Sequence, residues 1–406
     1  MKCEPRSAGP FAYRSLSARP SFPTPTRCAS FARSSIRKAF ILAEINLRIP
    51  GPTPCREEVL EAVARPMMNY RGPEMAELME ELTVNLKRFL DTSRDVLLVT
   101  ASGTGGLEAT IANTISSGDR VLGVNAGVFG RRFCDVAEAF GASLRTIEVD
   151  EGLALDPETL KSTLHQEKNC RAVLLTHNET STAVAHPIED LCRVVREESD
   201  ALVFVDAVSS LGAMPLPIDE LDIDVVISGS QKAWGVPPGM AMLVLSEKAW
   251  KATELATSPR FYFDLRRYRD AQARGTFPFT PALPVIYGLS VALGFMLRET
   301  PEGIFTRHAR IAARAREGVR SLGLELFADP EHASSTVTAM KVPEGIDESA
   351  LVALLRTRYH TVYARGQEGL RGKILRLGHL GWVQEPEIDA ALRALRSALA
   401  DLGHRI

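Results

Sequence analysis

Residues 94–115 read RDVLLVTASGTGGLEATIANTI: an apolar run, a glycine-rich loop, then a segment of helical character. Strand, loop and helix in that order form the repeating unit of an α/β sheet. The unit recurs along the chain. RVLGV (120–124) precedes the helical FCDVAEAFGA, AVLLT (172–176) precedes PIEDLCRVVREE, and ALVFVD (201–206), DVVISGS (224–230) and MAMLVLS (240–246) continue the series. Near-continuous apolar strands alternating with helices predict a mostly parallel sheet covered by helices on both faces. Ligands of such sheets bind beyond the C-terminal ends of the strands, so the loops that follow these runs carry the functional reading.

After Phe279 the pattern changes. A helical stretch from about 282 to 320 leads into the shorter runs TVTAMKV and KILRLGHLG and a last helix, EPEIDAALRALRSALADLG. This predicts a smaller α+β domain. The expected division is an N-terminal extension over 1–45, an arm and large domain over 46–295, and a small C-terminal domain over 296–406.

Composition narrows the function classes. The chain has 406 residues, 45% hydrophobic and 24% charged, which is enough for a large core and two domains. A formal net charge of −2 gives no argument for a nucleic-acid or membrane partner. The longest apolar stretch, ALPVIYGLSVALGFML (282–297), carries Pro284, Tyr287 and two glycines, and reads as a buried helix. The six cysteines show neither metal-ligand spacing nor a dense disulfide pattern, so no metal is expected and a reducing, cytoplasmic setting is. The first 38 residues differ, with eight Lys/Arg against the single acid Glu4, seven serines and five prolines. That composition suits either an organelle transit peptide or a disordered extension; the prolines oppose the helix a transit peptide forms.

Three loops carry chemistry. Ala101–Gly106 lies between a strand and a helix, where unpaired backbone N–H groups and the positive helix end form a cup for phosphate. It matches neither the P-loop nor the dinucleotide pattern, and an ordinary capped turn is the plain alternative. Asp206 closes the run ALVFVD; a carboxylate there is either the cap of a following helix or a partner for a cationic ring nitrogen. Lys232, in SGSQKAWGVPPG (228–239), is one of only ten lysines and has no charged residue within six positions on either side. An amine at an apolar strand end has a depressed pKa, which makes it a nucleophile toward carbonyls and a base. The plain alternative is a lysine that reaches past the turn to solvent. Together, a phosphate cup, an acid for a ring nitrogen and a buried amine for an aldehyde match the three handles of pyridoxal 5′-phosphate (PLP).

The chain resembles the class V, fold-type I PLP-dependent aminotransferases of the serine–pyruvate and alanine–glyoxylate type. The matching stretches are LRIPGPTP (47–54), ASGTGGLEA (101–109), NAGVFGRR (125–132), THNETSTAV (176–184), VDAVSSLGAMP (205–215), SGSQKAWGVPPG (228–239), PRFYFDL (259–265), FTPALP (279–284) and GKILRLGHLG (372–381). The resemblance implies that Lys232 forms the Schiff base and moves the proton, and that Asp206 pairs with the ring nitrogen. It implies that Ser102, Gly103 and Thr104 hold the phosphate with Gln231 beside them, that Phe129 stacks on the ring, and that Thr180 meets the phenolic oxygen. It further implies that Thr280 reaches the phosphate across a homodimer and that Arg376 grips the substrate carboxylate. Some relatives use a tyrosine where this chain has Phe277, which lacks the hydroxyl. From its neighbours alone, Arg376 would read equally as half of a buried ion pair. His177 and His379 read as core histidines.

The implied reaction is transamination between alanine or serine and glyoxylate or pyruvate. Ureidoglycine–glyoxylate and 2-aminoethylphosphonate transamination use the same machinery and stay open. A cysteine desulfurase needs a reactive cysteine well after the lysine, and the last cysteine here is Cys192. A non-catalytic scaffold of the same fold would have no need for Lys232, Asp206 and Arg376 together.

Overall fold

Every short apolar run expected to be a strand forms one. The computed structural model describes residues 45–404, and the extension with its transit-peptide reading lies outside them. The strands are β1 (Asn46–Arg48), β2 (Asp95–Val99), β3 (Arg120–Asn125), β4 (Ser143–Glu148), β5 (Ala172–Thr176), β6 (Asn178–Glu179) and β7 (Val184–Ala185). They continue with β8 (Leu202–Asp206), β9 (Val225–Gly229), β10 (Ala241–Leu245), β11 (Val337–Lys341), β12 (Thr361–Arg365) and β13 (Ile374–Gly378).

The large sheet has seven strands in the order β2-β10-β9-β8-β5-β3-β4. Pairs from β9 through to β4 are parallel, and β10 runs antiparallel to both its neighbours. Strands β5, β8, β9 and β10 are buried at every position, as strands covered on both faces must be. The reversal of β10 has a geometric cause. Only the loop from Ser230 to Met240 joins it to β9, closed by a bond from Ser230 N–H to the Met240 carbonyl (2.9 Å), and a parallel return needs a longer crossover. Since β2 and β9 both oppose β10, they point the same way. The C-terminal ends of β2, β3, β8 and β9 therefore open on one edge of the sheet.

Helices cover the sheet. Gly103–Thr114, directly after β2, is buried around most of its surface and packs on β9 and β10. Leu283–Glu299 is the buried helix expected from its apolar run, and no helix among the described residues is long and apolar enough to cross a membrane. The helical stretch expected to run on to 320 breaks at Thr300. Pro301 has no N–H to continue the ladder, and Thr300 Oγ1 instead accepts the Gly303 N–H (3.2 Å) to start the helix Pro301–Ser321.

A second sheet, in the order β1-β12-β13-β11, packs with Pro301–Ser321, Glu348–Thr357 and Glu385–Asp401 around Ile311, Leu351, Leu355, Ile388 and Leu395. Its strand β1 is the first among the described residues and pairs parallel with β12, Asn46 opposite Thr361. That strand was expected in an arm of the large domain. The expected boundary at 295 falls inside the helix Leu283–Glu299.

Candidate active site

The loop between β9 and β10 is held from several sides. Trp234 is fully buried and its Nε1 donates to Ser228 Oγ (3.0 Å), while Ser230 Oγ donates to the Pro237 carbonyl (2.8 Å). Thr53 Oγ1 donates to the Lys232 carbonyl (2.8 Å), so the chain segment after β1 straps across the loop. Lys232 is 9% exposed, and its Nζ donates to the Pro50 carbonyl at 2.7 Å. Gly51 makes room for it: at φ +135°, a Cβ there would stand 2.7 Å from Lys232 Cδ and Nζ. Burial pushes the Lys232 pKa down to about 8; Asp206 opposes the shift, and Arg376 and Arg132 add to it. The neutral amine is thus within reach near neutral pH.

Asp206 ends β8 in the centre of the sheet. Its Oδ1 accepts the Val208 N–H (2.9 Å), and the segment that follows forms turns, so no helix is there for it to cap. Burial pushes its pKa up to about 6, against the Val208 bond and the charges of Lys232 and Arg132.

Ser102 is the N-cap of Gly103–Thr114, its Oγ accepting the Gly105 N–H at 3.5 Å. No acidic residue occupies the first turn, so nothing neutralises the positive end of that helix. Gly103 is needed for packing: a Cβ would come within 2.6 Å of the Val208 side chain.

Phe129 opens the helix Val128–Ala139 after β3. Lys232 Nζ lies 5.9 Å from its ring centroid and the Arg132 guanidinium 4.9 Å. The Phe129 and Gly130 N–H groups donate to Glu179 Oε2 (3.1 and 3.0 Å), and Glu179 Oε1 accepts the Ser181 N–H (2.9 Å) and hydroxyl (2.5 Å). Burial raises the pKa of Glu179, and these four donors only partly oppose the rise.

Ser102, Gly103, Thr104, Phe129, Asp206, Gln231 and Lys232 line one cavity of about 260 Å³. Gln231 Oε1 is buried there without a hydrogen-bond partner among the described residues. Three of the expected residues stand outside its lining. Thr180 is buried beside it and donates to Ser209 Oγ (2.8 Å). Arg376, on β13, donates through Nη1 to the Thr180 carbonyl (3.0 Å) and through Nε and Nη2 to the Arg365 carbonyl (3.1 and 2.8 Å). It forms no ion pair among the described residues, so the buried-pair alternative is not what the fold builds, and burial takes its pKa down to about 10. Thr280 is exposed, and Phe277 is buried.

His379 bonds Thr338 Oγ1 (2.9 Å) and the Ser335 carbonyl (3.1 Å), as a core histidine does. His177 is buried too, with its pKa lowered by burial to about 4.

Three contributors went unassigned from sequence: Arg132, Glu179 and the Pro50–Pro52 strap. Each stands in a quoted stretch. Phe129 and Arg132 are three apart on a helix and share a face, a spacing that could have flagged the arginine.

The family model described as "Aminotransferase class-V" matches residues 55–372. The chain belongs to the class V, fold-type I family of PLP-dependent aminotransferases. This class V family member is 42% identical over 360 residues to the soluble hydrogenase small subunit of Synechococcus sp. (strain PCC 6716), covering 88% of this chain and 94% of that protein. It is 36% identical over 360 residues to the L-aspartate–glyoxylate aminotransferase of Paracoccus denitrificans, covering 87% and 91%. The crystal structure of pyridoxamine–pyruvate aminotransferase from Mesorhizobium loti matches it with a TM-score of 0.85 at 33% identity, over 88% of this class V chain and 93% of the other.

Proposed function

We propose that the protein transfers an amino group between a small amino acid, alanine or serine, and a small 2-oxo acid, glyoxylate or pyruvate, using PLP bound at Lys232. The observation that carries this reading is the single cavity that joins a buried amine of pKa about 8, the Asp206 carboxylate and an uncompensated helix N-terminus. The residues present suit PLP: an amine for its aldehyde, an acid for its ring nitrogen, and a helix N-terminus with no acidic residue in its first turn for its phosphate.

Ser102, Gly103, Thr104 and Gln231 would hold the phosphate, Asp206 the ring nitrogen, Phe129 the ring face and Thr180 the phenolic oxygen. When bound, PLP supplies an aldehyde that condenses with amines and a protonated ring that accepts the electron pair released with the α-proton. Asp206 keeps its carboxylate charge opposite the ring nitrogen and so holds that proton in place. Lys232, once its amine is free, would take the substrate α-proton at Nζ and hand it on to the cofactor carbon that carried the aldehyde, a task suited to a pKa near the working pH. Arg376 uses three N–H bonds on backbone carbonyls, and the two N–H groups left orient the substrate α-carboxylate. Thr280, exposed on one protomer, would reach the phosphate of a second, which makes the working unit a homodimer.

A soluble-hydrogenase subunit among the relatives leaves this reading in place, since a scaffold gains nothing from a buried lysine facing a buried aspartate. A substrate panel tests it. Alanine, serine, glycine, aspartate, ureidoglycine and 2-aminoethylphosphonate are each run against glyoxylate, pyruvate and 2-oxoglutarate. Turnover is expected with alanine or serine and glyoxylate or pyruvate. Preference for 2-oxoglutarate with a dicarboxylic donor would contradict the small-substrate assignment.

A further inference from the structure

We infer that Arg132 is the cationic partner of the cofactor phosphate, completing a cup that the Ser102–Thr104 loop leaves short of positive charge. The inference rests on the reading that PLP occupies this cavity.

The helix Val128–Ala139 carries two adjacent arginines with opposite surroundings. Arg131 is exposed and pairs with Asp135 (2.7 Å) and Glu138 (3.6 Å) on its own helix. Arg132 points into the cavity, and its Nη1 donates to Thr104 Oγ1 (3.3 Å). No carboxylate among the described residues lies within 4.0 Å of it, and its guanidinium stands 4.9 Å from the centroid of the Phe129 ring. A half-buried guanidinium held by one hydroxyl and an aromatic ring has donors to spare for an anion.

Charge balance names the anion. The cavity lining holds two cations, Lys232 and Arg132, and one acid, Asp206. Lys232 would be engaged by the aldehyde at the other end of the cofactor, and Asp206 by the ring nitrogen. A phosphate monoester carries a charge of about −1.5 to −2 near neutral pH, whereas a helix N-terminus offers the equivalent of about +0.5. Arg132 is the cation that remains, and its bond to Thr104 sets it at the cup rather than at the Arg376 side. A bidentate guanidinium–phosphate pair is the strong form of such contacts.

The test compares two ligands that differ only by the phosphate. The full chain, stripped of cofactor, is titrated with PLP and with pyridoxal, as wild type, Arg132→Gln and Arg132→Lys, with far-UV circular dichroism on each. The expected result is a PLP affinity at least about tenfold weaker in Arg132→Gln, with pyridoxal affinity unchanged within about twofold. Arg132→Lys should recover part of the loss, because it restores charge without the fork. If both ligands weaken together, or the preference for PLP over pyridoxal survives in Arg132→Gln, the role of Arg132 is overturned while the functional reading stands. If Arg132→Gln does not fold, Arg132→Lys decides: a PLP-to-pyridoxal ratio equal to wild type overturns the pairing, because an ammonium cannot supply the fork. A wild-type chain that binds neither ligand removes the functional reading and this inference with it.

Discussion

Lys232 is a cation set where charge is disfavoured, and its chemistry follows from that. Burial takes its pKa from 10.5 to about 8 even with Asp206 nearby, so the neutral, nucleophilic form grows as pH rises through that value. The rate of pyridoxal uptake by the stripped protein should therefore rise about tenfold per pH unit below about 8 and level off above it. A rate that keeps climbing beyond pH 10 would show an ordinary solvated lysine instead. Lys232, Asp206 and the 101–106 loop were legible in the sequence because each is chemically out of place: a lone amine, an acid closing an apolar strand, a glycine cluster opening a helix. Arg132 and Glu179 were not, because arginine in a helix and glutamate in a polar loop look like surface until the fold turns them inward. Arg376 was legible as a buried arginine, but its carbonyl partners at Thr180 and Arg365 come from contacts distant in sequence.

At the scale of elements, Glu179 fastens β6 to the first turn of Val128–Ala139. Its carboxylate takes four donors and thereby sets where Phe129 stands above the cavity. Glu179→Gln keeps the shape but turns an NH2 group toward N–H donors, leaving buried groups unsatisfied. The expected cost is about 2 kcal/mol or more in stability, with weaker PLP binding as the ring shifts. Denaturant unfolding with the cofactor removed measures the first quantity; a change below about 0.5 kcal/mol would show that the clasp is not structural. The apolar strands were read correctly because burial on both faces writes itself as continuous hydrophobicity. Strand β4 escaped notice because it is an edge strand with mostly half-exposed positions, and β1 because three residues carry no periodicity. The antiparallel turn of β10 was implicit in the short loop after β9, a matter of chain reach rather than of composition.

For the whole molecule, β1 belongs to the same sheet as β12, β13 and β11, so the Ile49–Thr53 strap over Lys232 is anchored on the same sheet that carries Arg376. Lys232 and Arg376 are thereby tied together through β1, β12 and β13. Thr280 lies exposed outside the cavity, and the assigned role for it needs a second copy. Sedimentation equilibrium should give about twice the chain mass of 44.4 kDa, and a monomer at working concentration would remove Thr280 from the site. The most direct test of the central claim is chemical. The protein is incubated with PLP, reduced with borohydride and digested, and the modified lysine is located by mass spectrometry. One phosphopyridoxyl group on Lys232, absent in Lys232→Ala, is the expected result; no adduct, or an adduct on another lysine that persists in Lys232→Ala, would contradict it.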